Sequence, residues 1–503
     1  MSGTGVTSRP RTIPKEEMIR LRSQRGLAAF VALALALGAC SGAIPVASPS
    51  ASATLTPKPS ASMAATTAPV IAQSGDLKGF TSTINWKVAA GQKIFVAMTD
   101  QTDTDVLAQQ LPQFTALTGI QVDYQKFQDV TQKELVDLQA GAGSIDVLQL
   151  DSQVIPEYVR DGYLADLGQF MADPTMYDPA WYKPSDLIGS FVELGKQDGK
   201  SYAVPAYLET TLLYYRKDLF AAKGLQPPDT IDDVAAAAAA LNDPAHGVYG
   251  WNSVGQKGAD QNVYRFMTFA GAFGATIFKD FPKDLTPVVN SPQMVQALTA
   301  YAGLLHKYGP PGVANWGWDE AGTFAAKGGS AMYLDTYDEA QSPLDDPSVS
   351  KTAGTWGCAL TPGVKQPDGS VKRWPSMFSW MLGVNAKSQQ QQAAWLFVQW
   401  ATSYEVQHKK AETVYYGNRT SIFEDPALAT ASKAICNGEW LQATLGNMKV
   451  ASPDFRPRFP GWLEVGDRLS LAIQSAIVGG DPQSELNKAE DDITRILKRA
   501  GYL

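Results

Sequence analysis

Short, unbroken apolar runs alternate along this chain with stretches in which apolar side chains recur at helical spacing, and that alternation leaves few ways to fold. Residues 94–98 are apolar throughout, as expected of a strand buried on both faces. Leu107, Leu111, Phe114 and Leu117 follow at helical spacing, with Gly119 where a left-handed helix C-cap belongs. Pro112 inside this stretch predicts a kink or a restart. Ile120, Val122 and Tyr124 then alternate as a strand, Val130, Leu135 and Leu138 share a helical face, and residues 145–150 form another buried run. The middle of the chain reads alike. Val204-Pro205 and residues 212–215 are strand-like, residues 218–224 make a short helix, and Thr230 with Asp233 makes a capping-box start for a helix over 231–241. Ser291-Pro292 opens a further helix, residues 330–334 form a strand, and residues 393–402 and 485–498 read as helices. Strands separated by helices imply parallel βαβ units and an α/β fold. A chain of 503 residues has room for two such lobes.

The first 85 residues do not fit this pattern. Arg9, Arg11, Lys15, Arg20, Arg22 and Arg25 precede an apolar run at 27–37, which ends in Gly38-Ala39-Cys40. That run of 11 residues is too short to span a bilayer, which takes about 20, and it has the layout of a secretory signal over residues 1–39. Leu37-Gly38-Ala39-Cys40 resembles a bacterial lipobox, which implies cleavage before Cys40 and acylation of its thiol. Residues 41–74 are almost entirely Ala, Ser, Thr, Pro and Val and read as a tether that, with Cys40, fills 40–85. The expected location is therefore extracytoplasmic, on the outer face of the cell membrane. Beyond Cys40 only Cys358 and Cys436 remain; in an exported protein they either pair or stay as thiols. A net charge of −8 excludes a nucleic-acid binder, which would present a basic surface.

Several stretches, in order, resemble the family 1 extracellular solute-binding proteins of ABC transporters, most closely their mannitol/sorbitol branch. They are Phe114-Thr115-Ala116-Leu117-Thr118-Gly119-Ile120, Gly199-Lys200-Ser201-Tyr202-Ala203-Val204-Pro205, Tyr214-Tyr215-Arg216-Lys217-Asp218-Leu219-Phe220, Lys327-Gly328-Gly329-Ser330-Ala331-Met332-Tyr333-Leu334-Asp335, and Gly417-Asn418-Arg419-Thr420-Ser421-Ile422-Phe423. The resemblance implies a type II periplasmic-binding-protein fold, with two lobes, a hinge of three chain crossings and a ligand cleft between them. Lobe I would comprise 86–205 and 358–421, and lobe II 206–357 and 422–503. Crossings are expected near 205–209, 356–360 and 420–424. It further implies capture of a sugar or sugar alcohol, delivery to ABC permease subunits in the membrane, a monomeric protein, and no cofactor, metal or catalytic group. The chain departs from that branch at Gln153, where the branch carries an aromatic residue.

A polyol offers many hydroxyls and an apolar C–H face, so its site needs charged acceptors, a planar donor and an aromatic platform. Glu209 and Asp335 are the candidate acceptors, Arg419 the donor and Trp380 the platform, with Phe378 beside it. Asp100 and Asp151 each close a predicted parallel strand, where α/β clefts collect ligands. A core role is the rival reading for Trp380, a helix cap for Asp335 and a salt bridge at the hinge for Arg419. The competing function classes are an exported glycoside hydrolase, using Glu209 and Asp335 as its carboxylate pair, and a binding protein for another small polar solute. His246, His306 and His408 are scattered, and none lies in a metalloprotease or serine-hydrolase motif.

Overall fold

The computed structural model describes residues 77–259, 261–336, 344–414 and 416–503. The signal, Cys40 and the tether as far as residue 76 lie outside the described residues; residues 77–85, expected to end the tether, instead pack into the core of the first lobe, with Phe80 and Ile84 buried. We number the strands of the two main sheets β1 (Lys93–Thr99), β2 (Gln121–Phe127), β3 (Val147–Asp151), β4 (Ala203–Glu209), β5 (Thr211–Arg216), β6 (Met332–Thr336), β7 (Trp356–Ala359) and β8 (Phe378–Val384).

The first sheet has the order β2-β1-β3-β8-β4. Its first three strands are parallel, as the alternation predicted, whereas β8 runs antiparallel between β3 and β4. Every residue of β3 and β4 is buried, which is why they read as continuous apolar runs. Helix Gln391–Ala401 packs on this lobe, and its Phe397 and Trp400 lie 5.3 and 5.1 Å from the Phe114 ring. Pro112 does restart the helix: Thr102–Ala108 ends, and Leu111–Thr118 begins with the proline in its first turn and ends on Gly119 at φ 75°. Thr230 and Asp233 form the expected capping box on helix Ile231–Leu241.

The second sheet is β6-β5-β7, antiparallel throughout. Around it stand helices Asn262–Ala272, Pro292–Tyr308, Trp462–Ile477 and Pro482–Ala500. Gly271 is required in the first of these, because a Cβ there would meet the Trp374 ring at 2.1 Å.

The chain passes between the lobes three times. Thr210 alone separates β4 from β5. The return from β7 to β8 takes residues 360–377, and Gly363 in it accepts the Ile231 amide at 2.8 Å. The third passage lies between Ser421, bonded to Asp186, and Glu439, bonded to Tyr215 and Lys217. Two lobe limits move accordingly. Residues 206–209 continue the first sheet, and the stretch from Cys358 to Trp374 packs with the second lobe rather than the first, because Cys358 and Ala359 pair with β5 and Trp374 covers Gly271.

Cys358 and Cys436 are bridged, with Cα atoms 5.4 Å apart and the two residues 78 positions apart in sequence. Beside the bridge, Asp345 accepts the Cys436 amide at 3.4 Å, and burial raises its carboxyl pKa to about 6.

Two outcomes follow for stability. Replacing both bridge cysteines with serine frees a long loop in the unfolded chain, and chain-entropy arguments put the loss at about 4–5 kcal/mol; chemical denaturation of the oxidised protein and the double variant measures it. Asp345 binds its proton more tightly in the folded state than in the unfolded one. Its contribution is therefore full below pH 3.8 and is lost as the pH rises through about 6. Between pH 5 and 7.5 the wild type should lose about 1 kcal/mol or less relative to Asp345→Asn, after reduction for partial solvent screening. Parallel stability curves for the two proteins over that range would refute this.

Candidate functional site

Strand direction brings the chemistry to one edge. β1, β3 and β4 all end where β8 begins, so Asp151, Glu209 and Phe378 meet there. In register, Phe378 stands opposite Glu209, and Trp380 stands between Asp151 and Tyr207. Because one residue links β4 to β5, the second sheet begins at the same place, where Thr211 pairs with Thr336 and Leu212 with Asp335.

The facing wall comes from helix Asn262–Ala272, all of whose residues are buried. Arg265, 2% exposed, directs its Nε at 2.7 Å and an Nη at 2.5 Å to one oxygen of Asp335, itself fully buried. Tyr333 donates its hydroxyl to the other oxygen at 2.6 Å, and the Thr336 amide donates to the first at 2.9 Å. An ion pair removed from water needs such further hydrogen bonds. The Arg265 and Arg456 guanidinium groups lie 5.0 and 4.8 Å from the centre of the Tyr264 ring, within cation–π range. The same ring meets Phe378 edge-on at 6.2 Å, and Phe378 meets Trp380 edge-on at 5.4 Å. The two walls therefore touch through a chain of aromatic rings. Burial pushes the Tyr264 hydroxyl pKa far above its ordinary value, and the Glu209 carboxylate pushes it further. The hydroxyl is thus a neutral donor, given to Ser376 Oγ at 2.7 Å.

Three carboxylates, Asp151, Glu209 and Asp335, and two guanidinium groups, Arg265 and Arg456, therefore stand close to this edge. Several buried oxygens at the same strand ends have no hydrogen-bond partner among the described residues: Thr99 Oγ1, Ser152 Oγ, Gln153 Oε1, Thr210 Oγ1 and Thr336 Oγ1. Left so, each would cost about 1–3 kcal/mol, and buried polar groups in native proteins are rarely left so.

Of the residues singled out in the sequence, Glu209, Asp151, Phe378 and Trp380 are gathered at this edge. Asp335 is gathered too, but both its oxygens are taken by Arg265, Tyr333 and Thr336, so it acts by holding Arg265. Two expectations are corrected. Arg419 is fully buried and gives its donors to the Thr402 carbonyl at 2.9 and 3.3 Å and to the Lys183 carbonyl at 3.1 Å, with its guanidinium 4.9 Å from the Tyr182 ring. It anchors the third passage to the first lobe. Asp100 turns instead to Lys126, 2.5 Å away, and to Gln128; the lysine holds its carboxyl below the usual range. Sequence reasoning missed Tyr264, Arg265, Arg456 and Ser376. The available signal was the charge of Arg265 inside the apolar run Phe266-Met267-Thr268-Phe269-Ala270 and its neighbours.

The chain is similar to known proteins in sequence and fold. The mannitol-binding protein of Pseudomonas aeruginosa is 29% identical over 391 residues, spanning 74% of this chain and 84% of that protein. The erythritol/L-threitol-binding protein of Mycolicibacterium smegmatis is 27% identical over 420 residues, 81% of this chain and 86% of its own length. An ABC transporter solute-binding protein from Agrobacterium vitis, solved with bound D-mannitol, superposes with a TM-score of 0.70 at 27% identity, covering 82% of this chain and 100% of that one. Another, from Agrobacterium radiobacter in complex with ribitol, gives 0.70 at 25% identity, covering 81% and 99%. The family pattern of bacterial extracellular solute-binding proteins matches residues 98–408, from the end of β1 across both sheets to the helix after Ser403, and the chain belongs to that family.

Proposed function

We propose that the protein is the ligand-capturing component of an ABC importer for a sugar alcohol or sugar. The observation that carries this reading is the cluster of carboxylates, guanidinium groups and aromatic rings between two touching walls, together with the buried oxygens at the same strand ends that have no hydrogen-bond partner among the described residues. A neutral ligand rich in hydroxyls supplies what those oxygens lack, and its C–H face suits the Trp380, Phe378 and Tyr264 rings. The mannitol, erythritol and ribitol of the relatives are ligands of this kind. The hydrolase reading uses Glu209 with Asp335, and the partners of Asp335 leave it no oxygen for proton transfer; the similar proteins named above are binding proteins. Delivery is to permease subunits in the membrane. No helix among the described residues is long and apolar enough to cross a membrane, and we place the body outside the cell, held by lipid on Cys40 through the tether.

Titration calorimetry with D-mannitol, ribitol and erythritol tests the ligand class; heats at the level of dilution for all of them, and for simple sugars, would end it. Arg265→Ala should weaken binding by about 2–5 kcal/mol, in part by stranding Asp335, and Trp380→Ala by about 2 kcal/mol. Arg419→Ala should instead cost about 3–5 kcal/mol of fold stability, with affinity per folded molecule unchanged. A normal melting temperature with lost affinity in Arg419→Ala would restore it to the site. Cys40→Ser should shift the protein from the membrane to the soluble fraction or leave the precursor uncut; unchanged membrane retention and lipid labelling would refute the anchor.

A further inference from the structure

The hinge contains a hydrogen-bond network that ligand contact alone does not require. Thr211, Thr361, Ser376 and Asn447 are completely buried, and Tyr264 is 4% exposed. Thr211 opens β5 at the first crossing, and Ser376 lies two residues before β8 at the end of the second. They bond reciprocally: the Thr211 amide donates to Ser376 Oγ at 2.8 Å and the Ser376 amide donates to Thr211 Oγ1 at 3.2 Å. Thr361, just past β7, donates its hydroxyl to the Thr211 carbonyl at 2.7 Å. Asn447, from helix Trp440–Met448, donates to the Thr211 carbonyl at 2.7 Å and to Thr361 Oγ1 at 3.2 Å, and accepts the Thr361 amide at 3.3 Å. All these groups are neutral and directional, so the network fixes geometry and is not screened by salt.

Tyr264 joins this network to the cleft. Its ring lies about 5 Å from two guanidinium groups and meets Phe378 edge-on, while its hydroxyl is given to Ser376, where the two crossing segments are tied together. The third passage, in contrast, is held to the first lobe by Asn418, Arg419 and Ser421. Bending is thereby concentrated where the network sits. We infer that Thr211, Thr361, Ser376 and Asn447 form the pivot of the hinge, and that Tyr264 is a positioning residue that couples the occupied cleft to it. Coupling of this sort requires an element with two arrangements that both sites bias; here it is the pair of crossing segments.

Tyr264→Phe keeps the ring and removes the hydroxyl; Thr361→Val keeps the shape and removes a bond remote from the ligand. In the ligand-free full-length protein, both variants should show a larger radius of gyration by small-angle scattering than the wild type, because the walls are no longer held together. Thr361→Ser, which keeps the hydroxyl, should restore the wild-type value. The ligand arm rests on the polyol reading: Thr361→Val should bind D-mannitol or ribitol roughly tenfold more weakly, the equivalent of one buried hydrogen bond, mainly through faster dissociation. Thermal melts confirm that each variant is folded. Unchanged scattering in both variants overturns the pivot whether or not polyols bind. Enlarged scattering with no polyol binding by the wild type upholds the pivot and overturns the ligand class alone.

Discussion

A guanidinium inside a helix with no exposed face has to be met by charge, and the Arg265–Asp335 pair meets that requirement. The pair joins helix Asn262–Ala272 to the end of β6, so the second wall of the cleft and the second sheet are placed by one interaction. Tyr333 and the Thr336 amide satisfy the remaining valences of the carboxylate. Truncating either partner would leave a charge in a region of low polarisability. Tyr264 precedes Arg265 in sequence and inherits its position, and through Tyr264 the pair also sets where the aromatic chain from Trp380 can close.

On the opposite wall, direction rather than charge is decisive. A strand reversed in the first sheet would remove its terminal residue from the edge. The antiparallel placement of β8 between β3 and β4 is what lets Phe378 and Trp380, from the start of one strand, meet Asp151 and Glu209 at the ends of two others. The single-residue link at Thr210 then brings the end of the first sheet against the start of the second.

These features differ in how far they could be read beforehand. Helix limits at Pro112, Gly119 and Thr230 depend on neighbours within a few positions, and local chemistry was enough. Glu209 and Trp380 were found because they interrupt or flank apolar strands. Arg419 was misplaced because a buried arginine in a turn looks the same from sequence whether it faces a ligand or main-chain carbonyls; its partners at Lys183 and Thr402 are far away along the chain or in another segment. Arg456 and Ser376 carry no periodic signature, and their roles exist only once the passages between lobes are laid side by side.

The bridge between Cys358 and Cys436 closes a covalent ring around residues 359–435, and within that ring lie β8 and the helices Gln391–Ala401 and Tyr404–Val414. The ring leaves the second lobe, builds the middle of the first sheet, and comes back. A protease that cuts once inside it severs the backbone without separating the halves. Such a nicked protein would migrate as one species until a reducing agent is added. β8 stays wedged between β3 and β4 with both flanks tied to the second lobe. The bridge therefore pins both ends of this excursion within the second lobe, and damage at an exposed loop of the ring does not by itself release the central strand of the binding edge.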